Sequence, residues 1–230
     1  MKKAGPSKKL IHYLFFPLFF VYLIWLTFWI DKGFHLHLER YGIYPMRLSG
    51  LQGIIFSPFI HDDLKHIFNN SIALFILSSF LFYHYRKIAW NILITGWFFT
   101  GLLTWIIGRP SYHIGISGIN YMLISFLFFS GLLIGYYRLV ATSLLIVFLY
   151  SGFIWYMFPI IKHMSWESHL SGFISGLILA LVYNKSLKKQ YQNKNIVRIN
   201  HEDEAFLKHF DENGNFIEIV EENYKKDKTL

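Results

Sequence analysis

Cysteine is absent from all 230 residues. The chain therefore has no disulfide framework, no thiol nucleophile and no thiolate ligand for a metal. Charge is also scarce: 16% of residues are charged, against about 25% in an ordinary soluble domain. With 54% hydrophobic and 20% aromatic residues, disorder and collagen-like repeats are excluded. Acidic side chains are rarest in the first part of the chain. Residues 1–183 hold 13 Lys and Arg but 5 Asp and Glu, whereas residues 184–230 hold nine of each. A net charge of +8 raises the question of nucleic acid, but no basic helix or basic–aromatic groove accompanies it, so none is expected as a partner. What the chain has in excess is uninterrupted apolar sequence, in blocks rather than amphipathic stripes. That is the composition of a polytopic membrane protein, with the lipid bilayer as its solvent.

Six apolar windows stand out, at about 13–30, 66–83, 88–107, 117–136, 139–158 and 166–183. Each is long enough to cross about 30 Å of hydrocarbon at about 1.5 Å per residue. The first is long, aromatic and interrupted by Pro17, with no small-residue cleavage site, so it reads as a transmembrane helix rather than a signal peptide. Lys2, Lys3, Lys8 and Lys9 precede it; Arg86 and Lys87 follow the second window, Arg138 the fourth, and Lys185, Lys188 and Lys189 the sixth. The positive-inside rule then predicts cytoplasmic termini. Three regions follow: a cytoplasmic segment 1–12, a six-helix domain 13–183 and a polar cytoplasmic tail 184–230. The outer loop 31–60, with YGIYP at 41–45, is too apolar for a solvated loop and is expected to associate with the membrane. In the tail, Asn213-Gly214 between alternating residues predicts a hairpin turn.

Polar groups inside a span are expensive and need a reason. Glu167, at a helix end, is the one charged residue within the windows. The conspicuous polar residues are His61, His66, Asn69, Asn70, Ser117, Asn120 and His169, at the starts of the second, fourth and sixth windows. Counting to the cytoplasmic flank places His66, Ser117 and His169 about 30, 27 and 24 Å up. They share one outer layer. Ser117 stands between Gly115 and Gly118, which leave its hydroxyl uncrowded, and at a helix start its free N–H groups suit an oxyanion; taken alone, the motif reads more readily as a helix cap. His169 is followed by Gly172, Gly176 and Ala180 on one face, spacing that lets two membrane helices pack closely. If the neighbour is the fourth span, His169 reaches Ser117 and can act as its base. With no carboxylate at that depth, the arrangement is a dyad, and Tyr121, one turn below Ser117, is available to orient the imidazole. His66 and Asn70, at i and i+4, offer donors for an oxyanion hole. A metal site at His35, His37, His61, His66 and His163 is the competing reading, but no recognised ligand spacing supports it, and no metal or organic cofactor is expected.

HDDLKHIFNN (61–70), HIGISGINY (113–121) and SHLSGFISGLILA (168–180) together resemble the rhomboid intramembrane serine proteases, in the family's order and in the same three of six spans. The resemblance covers about residues 13–183. It implies an all-α, six-helix rhomboid bundle that hydrolyses peptide bonds in or near transmembrane segments of other proteins. By position it implies Ser117 as nucleophile, His169 as base, His66 and Asn70 with the Ser117 N–H as oxyanion donors, and Tyr121 packed on the histidine. Gly115, Gly118, Gly172, Gly176 and His61 match supporting positions. It also implies a preference for small residues before the cut. Two departures stand out: the first outer loop has no Trp-Arg pair, and Ser168 replaces an alanine common before the base. The compact six-span layout predicts the cytoplasmic membrane of a bacterium. A rhomboid-like protein that binds membrane clients without cutting is the alternative. A small transporter is a more distant one, since the coupling carboxylates usual in such proteins are missing.

Overall fold

A computed structural model describes residues 8–160, 164–210 and 215–216. Among these residues there are seven α-helices: α1 (Lys8–Phe34), α2 (Gly53–Phe56), α3 (Leu64–His84), α4 (Ala89–Ile107), α5 (Ser117–Ile134), α6 (Tyr137–Tyr150) and α7 (Trp166–Leu207). Among the described residues there is no strand, and two isolated antiparallel bridges join Ile43 to His113 and Phe210 to Phe216. The chain divides into two units, Met1–Asn184 and Lys185–Leu230.

The first unit is a helical membrane bundle. Among the described residues of the chain, five helical stretches are long and apolar enough to cross a bilayer: Tyr13–Phe34, Leu64–His84, Ala89–Ile107, Ser117–Ile134 and Trp166–Tyr191. Helix α5 is the central one, with 67% of its apolar window buried against 17% for α1. The other helices expose Leu18, Tyr22, Ile94, Phe98, Leu144, Phe148, Leu181 and Val182, large apolar side chains that water would not tolerate and lipid does. Several hydroxyls inside the helices are satisfied within their own helix. Ser71 donates to Ile67 O, Ser78 to Leu74 O, Thr104 to Thr100 O and Ser143 to Leu139 O. These four donors are thus satisfied without leaving their helices, whereas the hydroxyls of Thr100, Ser171 and Ser175 are buried with no hydrogen-bond partner.

Local chemistry sets the helix ends. Asp63, with extended backbone, caps α3 by accepting the His66 N–H at 2.8 Å. That bond holds the Asp63 carboxyl below the usual carboxylate range. Gly135 closes α5 in the left-handed region, φ 71°, and its N–H returns to Gly131 O.

Three stretches take a form that the apolar windows alone do not describe. The fifth window, 139–158, is not one α-helix: α6 stops at Tyr150 and a 3-10 segment, Ser151–Met157, continues it. The Ser151-Gly152 pair is the kind of step where a helix loses its regular ladder. At about 1.5 Å per α-helical and about 2 Å per 3-10 residue, the two pieces still give about 35 Å of contour. The outer loop 31–60 folds into short helical pieces, Leu38–Tyr41, Leu48–Gln52, Gly53–Phe56 and Ser57–Phe59. In the second unit, the polar sequence after residue 184 continues α7 to Leu207, where charged and amide side chains of good helix propensity replace the apolar signal of a span. Phe206 and Phe210 lie 5.1 Å apart and the His209 ring stacks on Phe216. The Asn213-Gly214 turn lies outside the described residues.

Candidate active site

Ser117 is the first residue of α5, and the short segment before it is held on three sides. His113 and Ile43 exchange both backbone bonds, at 2.8 and 3.0 Å, and the Gly115 N–H donates to Ser57 O at 2.9 Å. The Ile116 N–H points to His61 Nε2 at 3.5 Å. The first outer loop is therefore the anvil against which the serine turn is shaped. Gly115 takes φ 98°, a left-handed conformation that only glycine adopts at little cost. A Cβ there would lie 2.9 Å from His66 Cε1 and Nε2 and 3.9 Å from Asn70 Nδ2.

Helix α7 brings His169 to the serine across a seam made by missing side chains. A Cβ on Gly172 would collide with the Gly118 carbonyl, and one on Gly176 with that of Met122. Ser168 already fills the place where a Cβ on Gly118 would go, so a small side chain is required there. Ser125 Oγ donates across the same seam to Phe173 O at 2.7 Å. Above it, Ser117 Oγ and His169 Nε2 are 2.9 Å apart. His169 Nδ1 lies 2.8 Å from Tyr156 O. A carbonyl can only accept, so Nδ1 carries the proton, and in the neutral ring Nε2 presents a lone pair to the serine hydroxyl. The Tyr156 carbonyl belongs to the last turn of the 3-10 segment Ser151–Met157. The Tyr121 ring stacks on the imidazole, centroids 4.3 Å apart and planes at 14°.

His66 and Asn70 project from the first turns of α3 toward the Gly115–Ser117 turn. His66 is half-buried and Asn70 buried. His61 packs edge-on to His66, rings 5.0 Å apart. Burial, with His66 adding to it, pushes His61 down to about 3. It is therefore a neutral acceptor for the Ile116 N–H. Asn69, one residue from Asn70, turns outward instead.

A second polar cluster ties the two helix starts together. Arg109 Nε lies 3.7 Å from Glu167 Oε1, its N–H donates to the same oxygen at 3.3 Å, and its guanidinium donates to Met164 O at 2.6 Å. His113 Nε2 donates to Arg109 O at 3.1 Å, leaving Nδ1 to accept from Ser165 Oγ at 2.5 Å; burial lowers this histidine's pKa. Glu167 does not serve His169 as an orienting carboxylate; it is engaged by Arg109. Among the described residues no three His, Asp or Glu side chains gather as metal ligands. His35 and His37 stand exposed in the outer loop, and His163 lies outside the described residues.

With this geometry in place the comparison with known proteins is direct. Residues 49–186, more than half of the chain, match the family model for the Rhomboid domain. This chain belongs to the rhomboid family. Uncharacterised proteins of Mycobacterium bovis and Mycobacterium tuberculosis are 31% identical to it over 180 residues, covering 74% of this chain and 75% of theirs. An uncharacterised protein of Mycobacterium leprae is 29% identical over 182 residues, covering 74% and 71%. The chain is thus a multi-pass membrane protein with a rhomboid bundle. Three features of this rhomboid site have no counterpart in the sequence reading: the Tyr156 carbonyl behind His169, the Arg109–Glu167 pair, and Asn120 behind Asn70. The first is backbone and leaves no trace in sequence. The other two left a signal, a carboxylate and an amide inside apolar windows, whose partners only the fold supplies.

Proposed function

We propose that this rhomboid is an intramembrane serine endopeptidase that cuts transmembrane proteins through a Ser117–His169 dyad. The observation that carries the reading is the hydroxyl 2.9 Å from an imidazole nitrogen whose lone pair is fixed toward it by the Tyr156 carbonyl. His169 Nε2 takes the Ser117 proton as Oγ bonds to the scissile carbonyl carbon. The oxyanion forms among the Ser117 N–H, His66 and the Asn70 amide, donors aimed at charge that exists only in the transition state. Collapse breaks the C–N bond, and the proton passes from His169 to the leaving amine. Water then gives its proton to His169, attacks the acyl carbon, and Ser117 leaves with that proton. The catalytic unit is residues 13–183, the termini are cytoplasmic and the membrane is the bacterial cytoplasmic one, so cleavage occurs toward the outer leaflet. The substrate must locally unwind, because the carbonyls of a membrane helix are hydrogen-bonded and shielded.

The test is labelling of detergent-solubilised protein by a fluorescent fluorophosphonate, together with cleavage of a transmembrane reporter. Wild type should label and cleave, while Ser117→Ala and His169→Ala should fall to background. A well-folded wild type that does neither, yet co-purifies with membrane clients, would make this a client-binding protein.

A further inference from the structure

Asn120 is a polar side chain where the bundle would accept an apolar one. It lies on α5 one turn below Ser117 and is buried at the contact with α3. Its Nδ2 donates to two acceptors of the same residue, Asn70 O at 3.2 Å and Asn70 Oδ1 at 3.1 Å. Its Oδ1 is buried with no hydrogen-bond partner. An orphan acceptor costs stability, so a residue retained for packing alone would be apolar here.

The polarity of this contact is fixed by the backbone. The two ends of an asparagine amide are nearly the same shape, and hydrogen-bond partners decide which way it points. Asn70 O is a carbonyl and can only accept, so the Asn120 atom facing it must be the NH2 group. That same group faces the side-chain amide of Asn70, and the end it meets must then be the acceptor, Oδ1. The NH2 group of Asn70 is left on the side of Gly115, where Asn70 Nδ2 and His66 Nε2 converge. We infer that Asn120 is a positioning residue that locks the Asn70 amide with its donor end toward the reaction site.

Resting on the dyad reading above, this assignment makes a signed prediction. Freed from Asn120, Asn70 turns its oxygen inward part of the time, opposing the oxyanion, whereas substrate binding is untouched. Asn120→Leu should therefore lower kcat about tenfold at unchanged KM, the factor worth of one buried hydrogen bond. Its thermal unfolding temperature should stay level or rise, because the orphan oxygen is gone. Asn70→Ala should lower kcat by ~10²-fold, as loss of an oxyanion donor does. In the Asn70→Ala background, Asn120→Leu should cost less than twofold, since no amide remains to orient. Asn120→Ala, which adds no volume, repeats the cycle if leucine does not fit.

Equal losses from Asn120→Leu with and without Asn70, or a fall in unfolding temperature matching the fall in activity, would overturn the assignment and leave the dyad standing. A Ser117-independent wild-type activity would remove the dyad reading, and the assignment with it.

Discussion

At the scale of single residues, the site depends on side chains that are absent as much as on those present. Gly115→Ala would strain a φ of 98° and push a methyl into the His66 ring. The strain alone costs about 1–2 kcal/mol, and the displaced ring should lower the fluorophosphonate labelling rate by more than tenfold. His61 offers a test by pH. Its pKa lies near 3 in the folded state and about 6.5 when unfolded. Between these values the unfolded chain binds a proton that the folded chain does not. The stability His61 contributes as a neutral acceptor is thus present above pH ~6.5 and is lost as pH falls toward 3. His61→Gln should flatten the acid limb of thermal stability over that window; an unchanged limb would assign it to other groups. The candidate residues were legible in sequence because each is a polar group in a stretch that should hold none, at one common depth. The tautomer of His169 was not legible. It depends on the backbone carbonyl of Tyr156, in the 3-10 segment that follows α6, which leaves no trace in side-chain chemistry.

At the scale of elements, two devices set α5 against α7. One is the small-residue seam, readable in advance from Gly172 and Gly176 at four-residue spacing. Gly172→Leu places bulk against the Gly118 carbonyl and must part the helices that carry serine and histidine. Labelling should be lost even where circular dichroism shows the helices intact. The other is the clamp from Arg109 to Glu167 and Met164, joined by His113 and Ser165. Its halves are 58 residues apart in Arg109 and Glu167, and nothing in either local sequence announces the other. Arg109→Met leaves the Glu167 carboxylate buried without its cation. Loss of one partner of a buried pair costs about 3–5 kcal/mol; since Arg109 is itself partly exposed, about half of that is expected. Replacing both, as Arg109→Met with Glu167→Gln, should recover part of the loss in unfolding temperature. Additive losses would show that the two side chains act separately.

At the scale of the whole molecule, the site is assembled by parity. Ser117, His169 and the His66–Asn70 pair each stand at the N-terminal end of a helix, α5, α7 and α3. Alternate spans of a bundle run in the same direction, so three N-terminal ends can meet at one level although the residues are about fifty positions apart. The same parity explains why the fold was readable while the interruption of the fifth span was not. Hydropathy counts crossings, and a 3-10 ending adds no apolar signal of its own. It also fixes which side the site faces once the orientation of any one loop is known. The Lys and Arg distribution predicts that the α5–α6 turn is cytoplasmic and that the loop 31–60 faces the other side. The absence of cysteine makes this simple to measure. Leu48 in the outer loop and Tyr137 after α5 are both exposed, and each can become the sole thiol of the chain. A membrane-impermeant maleimide applied to intact cells should modify Leu48→Cys and spare Tyr137→Cys until the membrane is opened. The reverse pattern would turn the molecule over and place Ser117, with any cleavage it performs, on the cytoplasmic side.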